Sequence, residues 1–135
     1  MDDPRVTTEN FGSIDVDFVL YCIDKPDRAA TRQTARVPHL EYISGRPNVF
    51  RYGGPLLGDD GRVKGSLMIL DLPDRAALER HMRDDPFFSA DLFETVTIWS
   101  SRQVVPEATS GALRAELVDQ RRLAEQTGLT AAAAR

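Results

Sequence analysis

The apolar run FVLYCI, residues 18–23, constrains the fold of this chain most strongly. It has the length of a β-strand, and alternate side chains of a strand point to opposite faces. Both faces are apolar: Phe18, Leu20 and Cys22 on one, and Val19, Tyr21 and Ile23 on the other. Such a strand must be covered on both sides. The chain has 135 residues, enough for one domain with a single core.

Strand and helix patterns follow one another along the rest of the chain. In order, they are a strand at 15–23, a helix at 24–36, strands at 48–57 and 62–72, a helix at 73–83 and a strand at 93–105. The two central strands are joined by Gly-Asp-Asp-Gly, which predicts a hairpin. In the second helix, Leu78 and Met82 are spaced by four and mark the buried face. The order β-α-β-β-α-β predicts an α+β, ferredoxin-like fold, an antiparallel sheet with helices on one face.

The second apolar face of the first strand needs a cover of its own. Helices on only one side of the sheet would leave that face in contact with water. A second copy of the chain, packed sheet against sheet, is the simplest cover. We therefore expect a homodimer that forms through the sheet faces.

The stretch RVPHLEYISG, residues 36–45, holds one of the chain's two histidines. Pro38 lacks an N–H and would clash with the preceding turn inside a helix, so we expect a break near Arg36 and Val37. A second helical piece would then begin at Pro38 and end at Gly45. His39 would lie in its first turn, either beside a cavity or as a polar residue at a structural joint.

Residues 84–93, DDPFFSADLF, predict a short helical turn. Asp85 is suited to be its N-cap and Pro86 its first helical residue. The second histidine, His81, lies on an ordinary helix and is expected at its surface.

Composition shifts divide the chain into three expected segments. Residues 1–13 are expected to form a flexible arm, residues 14–105 the folded domain and residues 106–135 a helical tail. In the tail, Leu113 and Leu117 are spaced by four, and Gly128 is expected to end the helix.

Charge and cysteine content exclude several classes of protein. The net charge of −4 and the pI near 5.1 argue against nucleic-acid binding, which needs an excess of cations on one face. The single cysteine, Cys22, lies in an apolar run, as expected for a buried, reduced thiol. No secretory signal is visible, and the longest apolar stretch is too short to span a membrane. A cytoplasmic protein without a membrane partner is the expectation.

Motifs for metals and phosphate-bearing cofactors are missing from the sequence. Two distant histidines and one cysteine do not supply the clustered ligands that a zinc site needs. The stretch GGPLLGDDG lacks the lysine and the following helix of a phosphate-binding loop. We therefore expect no metal and no cofactor.

Four short motifs, taken in order, resemble the YCII-related family. They are RVPHL at 36–40, matching the family's Arg-x-x-His-Leu, GGP at 53–55, GS at 65–66 and DPF at 85–87. The resemblance covers about residues 17–104 and leaves the arm and the tail outside. It implies a small dimeric α+β barrel protein of the ferredoxin-like type.

The resemblance also implies a catalytic His-Asp dyad, here His39 and Asp85. A neutral imidazole can take a proton near physiological pH, and a carboxylate on its other ring nitrogen fixes the tautomer and stabilises the imidazolium. Arg36 and Ser66 would bind the substrate, the first as a cation and the second through its hydroxyl. Tyr52 is a further candidate for the pocket wall, although such aromatic side chains more often lie in a core or an interface.

The resemblance, which extends to dehydrochlorinase-like relatives, implies a cofactor-free lyase or isomerase acting on a small aromatic or ketonic molecule. Two alternatives stay open. A non-catalytic ligand-binding or accessory protein would keep the pocket but place His39 and Asp85 too far apart to bond. A cofactor-independent monooxygenase would have a pocket walled by aromatic side chains, without a His-Asp contact. A role of Asp85 as a helix cap alone is a further alternative.

Overall fold

The structure, a computed structural model, describes residues 16–128. The predicted flexible arm, residues 1–13, lies outside the described residues. The chain forms two compact units that divide between Arg102 and Gln103. The first unit carries a sheet with its helices, and the second carries a C-terminal helix.

The described part of the first unit, residues 16–102, contains four strands and three helices. They are β1 (Asp17–Asp24), α1 (Ala29–Ser44), β2 (Phe50–Leu57), β3 (Val63–Leu70), α2 (Arg75–Asp84), α3 (Pro86–Ser89) and β4 (Phe93–Ser101). The strands form one antiparallel sheet in the order β2-β3-β1-β4. This arrangement confirms the predicted ferredoxin-like α+β fold.

The two faces of the sheet differ in burial. The core face carries Phe18, Leu20 and Cys22 of β1, Met68 and Leu70 of β3, and Ile98 of β4, all of them buried. The opposite face, which we call the outer face, carries apolar side chains that stay accessible: Tyr21 is 45% exposed and Trp99 is 59% exposed. The two apolar faces predicted for the first strand are therefore present, and the outer one stays accessible among the described residues of this unit.

Helix α1 runs from Ala29 to Ser44 with Pro38 inside it, so the predicted break at Arg36 and Val37 is wrong. A proline removes the hydrogen bond to the carbonyl four residues earlier, here that of Thr34, but one missing bond does not stop a helix that packs well on both sides of it. His39 therefore lies in the body of α1 and not in a first turn.

Helix α2 begins at the N-cap Asp74, whose carboxylate accepts a hydrogen bond of 2.8 Å from the backbone N–H of Ala77. The prediction that His81 lies at the surface is wrong, because its side chain is completely buried. His81 follows the buried Leu78 by three residues, and positions three and four apart share one face of a helix.

The second unit contains helix α4 (Ala112–Gln126). The chain leaves it through Gly128 with a φ of +75°, which confirms the predicted stop at that glycine. No side chain of α4 is buried. Across residues 16–128, no helix is both long and apolar enough to cross a membrane.

Candidate active site

His39 projects from the buried face of α1. It shares that face with Arg32 and Ala35, which precede it by seven and four residues. Its ring is stacked on the ring of Phe87 in α3, with centroids 3.8 Å apart and planes inclined by only 6°. Such close parallel stacking restricts the rotation of the imidazole and so fixes the direction of its two nitrogens.

Asp85 is the single residue between α2 and α3, and its carboxylate serves two purposes at once. Its Oδ1 accepts a hydrogen bond of 3.0 Å from the backbone N–H of Phe87, which confirms the predicted N-cap. The same oxygen lies 2.7 Å from Nδ1 of His39. The cap role and the histidine contact therefore coexist, since one carboxylate oxygen can accept more than one hydrogen bond.

The charge of Asp85 is held in a completely buried position. Burial by itself would raise the pKa of this carboxyl group, but the hydrogen bond from His39, the nearby His81 and the Phe87 N–H outweigh it and hold the pKa below the ordinary 3.8. Asp85 is therefore ionised at neutral pH. An ionised carboxylate only accepts hydrogen bonds, so Nδ1 of His39 carries a hydrogen and Nε2 is the nitrogen left to meet another molecule.

A cavity of about 130 Å³ opens beside His39. It is lined by Arg36, His39, Leu40, Ile43, Phe50, Gly53, Gly54, Pro55, Ser66, Met68 and Phe87. Most of this wall is apolar, and the polar side chains are few, as is usual for sites that bind small molecules. A dry protein cavity of about 150 Å³ can hold benzene, so the size suits a molecule with one ring.

Ser66 is hydrogen-bonded to a largely buried ion pair. Arg32 donates to both carboxylate oxygens of Asp24, at 2.8 and 2.9 Å, and also donates to the Ser66 hydroxyl at 2.9 Å. Its guanidinium carbon lies 4.8 Å from the centre of the Phe87 ring. Because the Ser66 oxygen accepts from a cation, the hydrogen of its hydroxyl is left for a ligand in the cavity.

The family model of the YCII-related domain matches residues 16–102 of this chain. The chain belongs to the YCII-related family. The match spans the whole sheet with α1, α2 and α3, and it ends at Arg102, where the first compact unit also ends.

A solved structure supports the same relationship. This YCII-related chain is 28% identical to the 5-chloro-2-hydroxyhydroquinone dehydrochlorinase of Burkholderia phenoliruptrix AC1100 in complex with 2,5-dihydroxybenzoquinone, with a TM-score of 0.57. The alignment covers 61% of this chain and 89% of the dehydrochlorinase chain. No curated protein sequence is similar enough to this chain to count as a relative.

The YCII-related unit brings four of the five sequence candidates together. His39, Ser66 and Arg36 line the cavity, and Asp85 lies behind His39. Arg36 lies on α1, one turn before Leu40, and is exposed. Tyr52 is not with the other four: it pairs with Ile69 of β3 on the outer face of the sheet and is 50% exposed.

Two side chains that the sequence did not single out, Arg32 and Asp24, complete this site together with Phe87 of the DPF motif. Arg32, which is paired with Asp24, donates to Ser66, and Phe87 stacks on the His39 ring. The signal for Arg32 was its spacing of seven residues from His39, which puts both on one face of a continuous helix. The break expected near Arg36 and Val37 would have put the two residues on separate helical pieces.

A second depression, an open groove of about 550 Å³, lies between α1 and α3. Its wall consists of Ala30, Thr31, Thr34, Ala35, Pro38, Pro86, Ser89 and Ala90. It is larger than the cavity beside His39, but no ionisable side chain lines it. The ionisable side chains Arg36 and His39 line the smaller cavity instead. Among residues 16–128, no cluster of three or more metal-ligating side chains is present.

Proposed function

We propose that this protein is a cofactor-free enzyme that performs acid-base chemistry of the lyase type on a small oxygenated ring compound. His39 acts as the general base or acid, and Asp85 orients it. The substrate occupies the cavity of about 130 Å³, with its oxygens at Ser66 and Arg36.

One observation carries the proposal: the 2.7 Å contact between His39 Nδ1 and Asp85 Oδ1 at the wall of a cavity. The contact distinguishes the proposal from its two rivals. A non-catalytic binding protein has no need of it, and a cofactor-independent monooxygenase was expected to lack it. The second nitrogen of the ring, Nε2, is then free to exchange a proton with a bound molecule.

The polar groups of the cavity suit a substrate that develops negative charge on oxygen. When His39 takes a proton from an O–H or C–H group, the electrons left behind form a phenolate or enolate. The Ser66 hydroxyl, polarised by Arg32, and the Arg36 guanidinium are hydrogen-bond donors for such an oxygen. The imidazolium that forms is stabilised by the ionised Asp85.

The similar solved protein suggests the kind of compound. Its name describes the removal of hydrogen chloride from a chlorinated hydroxyhydroquinone, and its structure holds a dihydroxybenzoquinone. Elimination of this kind needs a base for the proton and polar donors for the ring oxygens, which are the groups found around the cavity here. A hydroxylated, electron-rich ring with a leaving group is therefore the proposed substrate class.

A turnover assay tests the proposal. Small hydroxyhydroquinones, chlorinated and unchlorinated, are screened by thermal shift together with keto acids, and hits with a leaving group are followed by release of chloride. We expect His39→Gln and Asp85→Asn to lower kcat by at least about a hundredfold, the usual contribution of acid-base catalysis. Arg80→Gln, on the exposed side of α2, is the control and should keep full activity.

The outcome that would overturn the proposal is equally concrete. If 2,5-dihydroxybenzoquinone and every other hit bind the His39→Gln variant as tightly as the wild type, and turnover survives as well, the site lies elsewhere. Circular dichroism of each variant separates loss of chemistry from loss of fold.

We also propose that the protein is a homodimer joined through the outer faces of two sheets. The support is the accessible apolar surface of that face, where Tyr21, Trp99 and Tyr52 are each about half exposed or more. Large apolar patches of this kind on a small domain mark interaction surfaces. In such a dimer Tyr52 belongs to the interface and not to the pocket wall of its own chain.

A further inference from the structure

His81 is a buried ionisable group to which the proposed chemistry assigns no part. Its side chain is fully buried between the rings of Tyr42, Phe50 and Phe88, whose centroids lie 5.6, 5.5 and 6.1 Å from its own. Neither of its ring nitrogens has a hydrogen-bond partner within the described chain. Leaving a buried polar group without a partner costs stability, so an apolar side chain would fill this cage at lower cost.

A polar group close to His81 belongs to the proposed catalytic pair. Its Nε2 lies 3.3 Å from Oδ2 of Asp85, close to hydrogen-bonding distance but out of line. The other oxygen of Asp85, Oδ1, is already taken by His39 and by the Phe87 N–H. Oδ2 is buried as well and has no other hydrogen-bond donor among residues 16–128.

We infer that His81 is a positioning residue for the His39–Asp85 pair, donating from Nε2 to Oδ2 of Asp85 after a small turn of its ring. Asp85 then has a donor on each oxygen, so its carboxylate cannot rotate away from His39. The inference rests on the proposed function for its catalytic meaning, but the contact itself requires no substrate.

The other ionisable groups that face Asp85 do not change charge near neutral pH. Burial, and then the charges of Asp85 and Asp24, raise the pKa of the Cys22 thiol on β1 to about 12. Burial also raises the pKa of Tyr42 on α1, although the nearby Arg46 opposes it. Besides the backbone N–H of Phe87, the two ionisable groups whose hydrogens stabilise the carboxylate are therefore His39 on α1 and His81 on α2.

Two variants at position 81 separate hydrogen bonding from packing. His81→Phe keeps an aromatic ring of similar size in an aromatic cage but removes the donor. His81→Gln keeps an N–H donor at about the same reach. If His81 served only to fill space, the phenylalanine variant would behave like the wild type and the glutamine variant would be the damaged one.

The decisive measurement is the titration of Asp85 in the ligand-free protein, followed by carbon-13 NMR of its carboxyl carbon and assigned with Asp85→Asn. We expect the midpoint to lie at higher pH in His81→Phe than in the wild type, because the carboxylate has lost a donor, and to stay close to the wild type in His81→Gln. An unchanged midpoint in His81→Phe, or an equal rise in both variants, overturns the inference.

If acid unfolds the protein before Asp85 titrates, a double-mutant cycle in urea at neutral pH measures the same coupling. His81→Phe should then lower the unfolding midpoint in the wild-type background more than it does beside Asp85→Asn. Equal effects in both backgrounds would overturn the inference.

The steady-state kinetics of the His81→Phe variant provide a separate test. His81 does not line the cavity, so His81→Phe should lower kcat by about tenfold, the equivalent of one hydrogen bond to a charged group, and leave KM unchanged. Absence of any turnover in the wild type would defeat the proposed function, whereas the Asp85 titration would still decide the role of His81.

Discussion

At the scale of single residues, the site depends on a carboxylate that is ionised against the effect of its own burial. Asp85 is completely inaccessible, and an isolated charge in such a place would be neutralised by proton uptake. Hydrogen bonds from His39 and the Phe87 N–H reverse that tendency. These two donors come from α1 and α3, so the charge also fixes the relative positions of those two helices.

Asp85 should make the stability of the protein depend on acid in a defined direction. Its pKa in the folded state lies below the ordinary 3.8, so it contributes stability above that pH and loses the contribution as pH falls through the folded value. At pH 5 we expect Asp85→Asn to be less stable than the wild type by about 2 kcal/mol, and the difference should shrink towards pH 2.

Urea unfolding at a series of acid pH values measures this difference. The matched control is Asp84→Asn, the preceding carboxylate, which is exposed and lies 3.6 Å from the neighbouring Arg83. Its substitution should change the free energy of unfolding by less than about 0.5 kcal/mol at every pH. A difference for Asp85→Asn that grows towards pH 2 would contradict the expected sign.

At the scale of elements, the cavity depends on how closely β1 and β3 approach each other. Gly65 of β3 pairs with Ile23 of β1, and a Cβ atom at Gly65 would overlap the carbonyl oxygen of Cys22. The backbone of β1 therefore occupies the space that any larger residue would need. This contact positions the next residue, Ser66, within hydrogen-bonding distance of Arg32.

Gly65→Ala should therefore separate the two strands locally. We expect a loss of about 2 kcal/mol or more in the free energy of unfolding, since neither backbone can yield without breaking ladder hydrogen bonds. Gly45→Ala is the matched control, because a Cβ there meets no atom closer than 3.6 Å. That variant should be neutral or slightly stabilised by its stiffer unfolded chain. Chemical unfolding curves compare the two, and equal midpoints would contradict the argument.

The elements also show what the sequence could and could not predict. The order of strands and helices follows from side-chain periodicity and turn residues, which are local. The continuity of α1 does not, because the cost of Pro38 is a local term that tertiary packing of Arg32, Ala35 and His39 outweighs. The burial of His81 could have been inferred from its spacing of three residues from Leu78, but a histidine on a helix was expected to face water.

The contact between His39 and Asp85 could not be predicted from local sequence patterns either. The two residues are 46 positions apart, one in α1 and the other between α2 and α3, so no spacing rule brings them together. Family resemblance supplied the pair, and the same resemblance gave no hint of the Arg32–Asp24 bond beneath Ser66. Such contacts between elements depend on the packed structure, which local patterns do not describe.

At the scale of the whole molecule, the open question is what covers the outer face of the sheet. β1 lies between β3 and β4, so the exposed ring of Tyr21 sits between Leu67 and Thr97 in the middle of that face. An apolar surface at the centre of a sheet is removed from water when a similar apolar surface packs on it. A two-fold axis brings the same face of a second copy into that position. The wild type should therefore have a mass twice the 15.0 kDa of one chain in native mass spectrometry and sedimentation at micromolar concentration.

Tyr21→Glu tests that arrangement, because it would bring two like charges together at the centre of the interface and bury both. We expect it to sediment as a monomer, because burying unpaired charges in the interface opposes association. Gln33→Glu adds the same charge on an exposed position of α1 and should remain dimeric. A monomeric wild type, or a Tyr21→Glu variant that stays dimeric, would mean that the outer face is covered by something other than a second copy of itself.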